Sequence, residues 1–414
     1  MCFILFLFTL LPAPTAHAAG SGNWRTYTTA DGLLSNNIQA LAYREDPLDF
    51  PPCDRTTRTD CPAIPGLWLG TDQGLTYLNG RDNVAFNNPQ FDKIPNPDIR
   101  DLLFDTDRHL WIATAGGLVM FDDNSTPIDK SDDRWSQTYL AGREVLALTQ
   151  TADGRIWAGT DSGLVELDPQ SQQEYTHLST IRVTALPTCP LVLGNRCQIT
   201  TDDHFWIGTN QGLYQLSLHD RQATPSLVNG LPFPTTPLTI TALTITTDGL
   251  WVGSNQGAAH WDGQQWNVFF DGTGNLASPN VRAIDLDARG DIWFATARGA
   301  ARWRPTYHTW QHFFAPSESL PSDDLRALLI EPQGAVWLGT DAGVSSTDGA
   351  WTLLDTATTY NYTSIVNSRV NTQVEDRQGR MWVGTDGGVS VFDSSLTLLK
   401  SFTHENGALT DNLC

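Results

Sequence analysis

Apolar residues along the chain fall in short runs rich in Val, Ile, Leu, Trp and Phe, each closed by Gly, Asp, Asn or Ser. Runs of this length and composition predict strands joined by tight turns, and no segment sustains a helical period. The stretch around residue 290 shows the pattern clearly. Val281–Leu286 reads as a strand, residues 287–290 as a turn, Ile292–Thr296 as a second strand and Arg298-Gly299 as another turn. Residues 300–303 and 310–314 complete a unit of four short strands, and a Pro/Ser-rich link follows.

The unit repeats. A Trp, an apolar step, Gly or Ala, then Thr or Ser, a polar pair and Gly recurs eight times, anchored by Trp68, Trp111, Trp157, Trp206, Trp251, Trp293, Trp337 and Trp382. The mean period, (382 − 68)/7, is about 45 residues, the length of one propeller blade. A four-stranded unit with two apolar faces cannot bury both alone, so the copies are expected to stack around a ring, with Trp filling each wedge. An eightfold aromatic repeat could also form a carbohydrate-stacking array, which would require exposed rings. Residues 23–27 read as a spare outer strand without the three that should precede it; placed beside a late repeat, it would close the circle. At the other end, residues 401–412 echo the lead into the first copy, so a ninth copy is expected to begin there. The expectation is an all-β propeller of four-stranded antiparallel blades. It has seven blades, with the eighth copy starting a second ring, or alternatively eight blades in one ring.

Composition narrows the class. With 46 Asp and Glu against 25 Lys and Arg, the net charge is −21, which disfavours a nucleic-acid partner. The apolar opening followed by Ala16-His17-Ala18 reads as a signal peptide over residues 1–18, an uncleaved anchor being the alternative because no Lys or Arg precedes it. Export to the periplasm or cell exterior follows from either reading. Residues 19–350 would then form the first ring, and residues 351–414 the eighth copy and the start of the ninth. Cys53 and Cys61, like Cys189 and Cys197, are eight residues apart in Pro-rich insertions, and in an oxidising compartment they are expected to form two disulfides. A zinc site is the rival reading, disfavoured by the absence of a Cys-x-x-Cys spacing or an adjacent His.

The signature resembles the two-component regulator propeller repeat, as in Asp31-Gly32-Leu33 with Ser35-Asn36-Asn37. It recurs in Asp153-Gly154-Arg155-Ile156-Trp157 with Gly159-Thr160, and in Gly379-Arg380-Met381-Trp382 with Val391-Phe392-Asp393. The resemblance implies the extracytoplasmic sensing region of a membrane receptor, whose kinase or cyclase output module would lie beyond residue 414. The copy-five turn departs from the pattern, being shortened to Thr247-Asp248-Gly249. So does the link from residue 356 to 368, which lacks the Gly-Leu lead and falls where a seven-bladed ring would end. The implied function is ligand sensing, with oligosaccharide as the implied ligand; a propeller enzyme acting on polysaccharide and a protein-binding scaffold are the alternatives. A homodimer in the full receptor is also an expectation, with membrane contact through an anchor or a downstream helix.

Candidate ligand residues come from the face where links and second turns should gather. Counting back from each Trp aligns Arg100, Leu146, Arg282, Arg326 and Asn371 as the second residue of the inner strand, with Gln39, Thr184 and Thr241 matched by pattern. Three recurrent arginines could hold a carboxylate or sulfate on a sugar chain; alternatively each pairs with a flanking acid. The acids and amides after Thr, namely Asp72, Asp161, Asn210, Asn255, Asp341 and Asp386, are expected to cap tight turns rather than bind metal. Asp105, Asp153, Asp287 and Asp376 suit hairpin turns. The sequence carries no zinc-helix spacing, nucleophile elbow, phosphate loop or dinucleotide fingerprint, so no catalytic residue, metal or cofactor is expected.

Overall fold

The structure, a computed structural model, describes residues 24–44, 66–78, 83–86, 93–124, 130–189, 191, 200–201, 204–218, 224–234, 237–270, 275–315, 320–332, 334–347, 370–375, 381–385, 388–392 and 398–402. The chain divides into two compact units, one of Asn23–Ala350 and one of Met1–Gly22 with Trp351–Cys414.

The larger unit is a β-propeller of seven antiparallel blades. Blade one consists of Ile38–Tyr43, Leu67–Thr71, Gly74–Leu78 and Asn83–Phe86, hydrogen-bonded in that order from the centre outward. Blades two to six repeat the order, with inner strands Ile99–Phe104, Val145–Gln150, Val183–Ala185, Ile240–Thr246 and Val281–Leu286. Two-residue strands extend blade four at Thr200–Thr201 and blade five at Pro187–Thr188. Blade seven takes Leu325–Ile330, Val336–Thr340 and Gly343–Thr347 from the late chain, and its outer strand is Trp24–Tyr27 from the start. Thr26 pairs with Ser345 in that register, and the ring closes as the spare strand implied. Inner strands touch their neighbours in a cycle that runs from blade one to blade seven and back to blade one. The other unit holds one further sheet of the same order, Val370–Glu375, Met381–Thr385, Gly388–Phe392 and Leu398–Phe402.

The seven motif tryptophans of the ring are all buried, Trp206 the least at 9% exposed, so they fill wedges and none can stack on a sugar in solvent. Six of the seven indoles sit in clusters of apolar side chains from their own and the next blade, as Trp68 does with Leu102, Leu110 and Phe121. The small residue two places after Trp has a definite neighbour: a Cβ on Gly70, Gly159, Gly208, Gly253 or Gly339 would lie within 2.9 Å of a side chain that opens the next blade's inner strand. Those side chains are Ile99, Val183, Ile240, Val281 and Ile38, so the Gly sets the distance between blades.

Two local roles differ from the sequence reading. The second turn is held by the hydroxyl of the preceding Thr or Ser, not by the following Asp or Asn: Thr71 Oγ1 donates to Gly74 O at 2.8 Å and accepts Gln73 N–H at 3.0 Å. Thr114, Thr160, Thr209, Ser254, Thr296 and Thr340 donate in the same way. The residue six before Trp also has a second task. Asp105 and Asp287 cap their hairpin turns as expected, and in addition accept the indole N–H of Trp111 at 2.9 Å and of Trp293 at 3.2 Å. Thr151 and Glu331 do the same for Trp157 and Trp337. In blade five the shortened turn places Ile245 at that position, and Trp251 Nε1 has no hydrogen-bond partner among the described residues.

Candidate ligand-binding mouth

Register decides which loops share a face. Ile38, the first inner-strand residue, pairs with Thr71 at the end of the second strand, while Tyr43 pairs with Leu67. The link into each inner strand and the turn after each second strand therefore emerge together. The connections that carry the cysteine pairs leave from the opposite end.

At the mouth, every inner strand carries the same irregularity. The ladder skips one residue between Ile38 and Ala40, and equally between Ile99 and Asp101, Val145 and Ala147, Val183 and Ala185, Ile240 and Ala242, Val281 and Ala283, and Leu325 and Ala327. The skipped residues are Gln39, Arg100, Leu146, Thr184, Thr241, Arg282 and Arg326, the positions aligned from sequence. A bulge frees a residue from the ladder and re-aims its side chain, which is how one position in each blade comes to be presented at the centre. Asn371 occupies the equivalent bulge, between Val370 and Thr372, in the sheet of the other unit.

In the ring six of these residues bridge seams between blades, and the seam between blades three and four, where the bulged residue is Leu146, is bridged by the neighbouring Glu144 and Arg182. Gln39 donates to Asp98 at 2.7 Å and accepts from Arg100 at 3.1 Å, joining blades one and two. Arg100 reaches Glu144 at 3.1 Å, and Glu144 meets Arg182 at 2.9 Å, joining blades two, three and four. Thr184 donates to Ile240 O at 2.5 Å, and Thr241 to Val281 O. Arg282 takes Asp324 at 2.5 Å and Leu325 O at 3.2 Å in blade seven, and Arg326 donates to Asn37 in blade one. The belt is continuous.

The flanking-acid alternative is met for Arg100, which pairs with Asp98 at 2.7 Å, and for Arg326, which pairs with Asp324 at 3.0 Å. Arg282 instead uses the acid of the next blade. The three arginine side chains are 29–33% exposed, so each remains reachable from solvent while paired. Such partly exposed pairs contribute only about 0–1 kcal/mol each. Asp72, which accepts from Asn37 at 3.1 Å, adds a further acid at this mouth.

Deeper along the inner strands, two carboxyls staple seams through backbone. Asp101 accepts the N–H of Leu148 at 2.7 Å, and Asp285 that of Ile330 at 2.9 Å. Burial pushes both up to about 7, against the lowering effect of their backbone hydrogen bonds. Sequence reasoning offered Asp101 only as a flanking partner for Arg100, a place that Asp98 takes, and passed over Asp285, because an Asp in an inner strand carries no motif.

Cys189 is disulfide-bonded, and Cys53, Cys61 and Cys197 lie outside the described residues, as do residues 1–18 and 403–414. Among the described residues there is no group of three or more side chains able to hold a metal, and no helix long and apolar enough to cross a membrane.

The fold is shared with solved structures of low sequence identity. The extracellular domain of a putative hybrid two component system from B. thetaiotaomicron matches with a TM-score of 0.60 at 18% identity, over 95% of this chain and 50% of that one. The extracellular domain of a second such system from the same organism matches with a TM-score of 0.55 at 16% identity, over 80% and 49%. Virginiamycin B lyase from Staphylococcus aureus matches with a TM-score of 0.55 at 11% identity, over 78% of this chain and 97% of the lyase. The chain thus spans about half the length of the two extracellular domains. No curated protein matches it in sequence. The family model described as "Two component regulator propeller" matches residues 139–162, from the link and inner strand of blade three into its second turn, and residues 364–387 around Trp382. Those two of the eight copies are similar to the two component regulator propeller repeat.

Proposed function

We propose that the ring is the extracytoplasmic ligand-binding region of a two-component-type signalling receptor, and that its mouth binds an acidic oligosaccharide. The observation that carries the reading is the belt: seven bulged positions present one residue per blade at a single level, and three of them are half-exposed arginines in a chain of net charge −21. Guanidinium groups offer paired donors to a carboxylate or sulfate, and the threonine and glutamine positions suit hydroxyls. The likeness to extracellular domains of putative hybrid two component systems and the matched repeats support the signalling role. Because the belt crosses every seam, a ligand that replaces one partner changes the restraint between two blades, which is the kind of differential contact a sensor requires.

The proposal includes export by the segment 1–18, disulfides Cys53 with Cys61 and Cys189 with Cys197 on the face away from the mouth, and a homodimer in the full receptor. It places no cofactor or catalytic residue in the ring.

Calorimetric titration of the purified protein with uronic-acid and sulfated oligosaccharides tests the reading. Arg100→Ala, Arg282→Ala and Arg326→Ala together should weaken binding at least tenfold; unchanged affinity in a folded variant removes the mouth as the site. The fold likeness to virginiamycin B lyase favours an enzyme as the second reading, and cleavage of the same glycans by the purified protein would establish it over the sensor.

A further inference from the structure

Between blades four and five the repeat leaves a hole where five of the other junctions are plugged by a buried lead residue. In five links the Leu or Ile of the lead is buried: Leu33, Ile94, Leu140, Leu276 and Leu320, all at most 6% exposed. Its counterpart in the link to blade five, Leu231, is only half-buried. The outer strand before that link, Ser226–Leu227, ladders with Gln215 and Tyr214 and not with Gly212 at the second turn of blade four. The turn glycines record the difference. A Cβ on Gly163 would lie 1.8 Å from Leu178 O, whereas one on Gly212 would meet Leu227 Cδ1 at 3.3 Å and nothing else within 4 Å.

The result is an open cavity of about 750 Å³ on the mouth side, within the usual range for small-molecule sites. Its far wall is held by blade five: Gln256 Nε2 donates to Pro237 O at 3.2 Å, and Asn255 Oδ1 accepts Thr239 N–H at 3.0 Å. None of the twelve described residues that line it is ionisable, in a chain where 71 residues are Asp, Glu, Lys or Arg. Leu227, Leu231 and Phe233 supply apolar surface, and Asn210, Gln211 and Asn229 supply amides that both donate and accept.

We infer that this cavity is a second binding site, separate from the arginine belt, for an uncharged small molecule with one apolar ring face and a hydrogen-bonding edge. A charged ligand would lose hydration there and find no counter-charge, which disfavours it against its neutral analogue.

The test is ligand-observed NMR on the purified protein with size-matched pairs: benzamide against benzoate, and phenyl glucoside against phenyl glucuronide. The neutral member of each pair should bind at least tenfold tighter. Phe233→Ala should reduce that binding at least fivefold, and Gln211→Glu should reduce it as well, while Arg100→Ala leaves it unchanged. Absence of binding by both neutral probes overturns the inference, as does equal binding within the pairs or full binding by the Phe233→Ala protein. Loss in the Arg100→Ala protein would assign the probes to the belt instead, and likewise overturns it.

Discussion

Asp101 in blade two accepts the backbone N–H of Leu148 in blade three at 2.7 Å, and Asp285 repeats the contact to Ile330 between blades six and seven. Both carboxyls are raised by burial from 3.8 to about 7. Each binds its proton more tightly in the folded protein than in the unfolded chain. Its contribution therefore favours the fold at low pH and is withdrawn as pH rises from about 4 through about 7. Asn keeps an acceptor for the N–H and does not titrate. The double variant Asp101→Asn, Asp285→Asn should lose less stability than the parent between pH 5 and pH 8, by about 2–5 °C in Tm for this size of ring. Thermal unfolding of both proteins at the two pH values checks it, and parallel profiles would refute it.

The indole acceptors predict an asymmetry among equivalent tryptophans. Trp337→Phe removes the donor to Glu331 and leaves a buried carboxyl without it, whereas Trp251→Phe removes an N–H that has no partner among the described residues. The lost volume is the same. Denaturant unfolding should show Trp337→Phe costing about 1–3 kcal/mol more than Trp251→Phe.

Closure by the first strand predicts both a stability loss and an association. Tyr27 is buried, with its ring centroid 5.9 Å from that of Trp337. Tyr27→Ala should destabilise the ring by about 3–5 kcal/mol. Removing residues 23–27 leaves Gly343–Thr347 as an open edge, which invites pairing with another molecule. Light scattering during size-exclusion chromatography should then show concentration-dependent oligomers absent from the parent.

Blade spacing predicts a compensating pair. A Cβ on Gly339 would lie 2.8 Å from Ile38 Cγ2, so Gly339→Ala should cost about 1–3 kcal/mol through overpacking. Ile38→Ala alone opens a cavity and is also destabilising. The two together should be less damaging than the sum, a coupling that a double-mutant cycle measures directly.

The architecture was legible because it is written redundantly. Eight copies of one Trp-centred phrase fix strand order and period, and residues 23–27 stand out as a strand without a unit. Their pairing with blade seven follows from the need to cover an edge. The mouth was half legible. Alignment found Gln39, Arg100, Arg282 and Arg326 at one level, but that this level is a bulge is a property of backbone pairing that no side chain announces. The partnership of Arg282 with Asp324 depends on how adjacent blades are staggered, which the order of residues does not contain. The turns misled for a chemical reason: Asp and Asn are strong turn formers, yet the buried Thr hydroxyl one place earlier both accepts Gln73 N–H and donates to Gly74 O, and an ionised Asp cannot donate. The cavity beside Gly212 is a departure from the repeat, and departures in a Pro-rich link read as ordinary loop.

The outer strand of blade seven is the earliest part of the ring to leave the ribosome, and its three companions are the latest. Synthesis alone cannot complete the circle by steady accretion; six blades can assemble while Trp24–Tyr27 waits for a partner about 320 residues downstream. A ring fastened by its own beginning is finished in one late event, so any chain stopped short of Thr347 is left ajar.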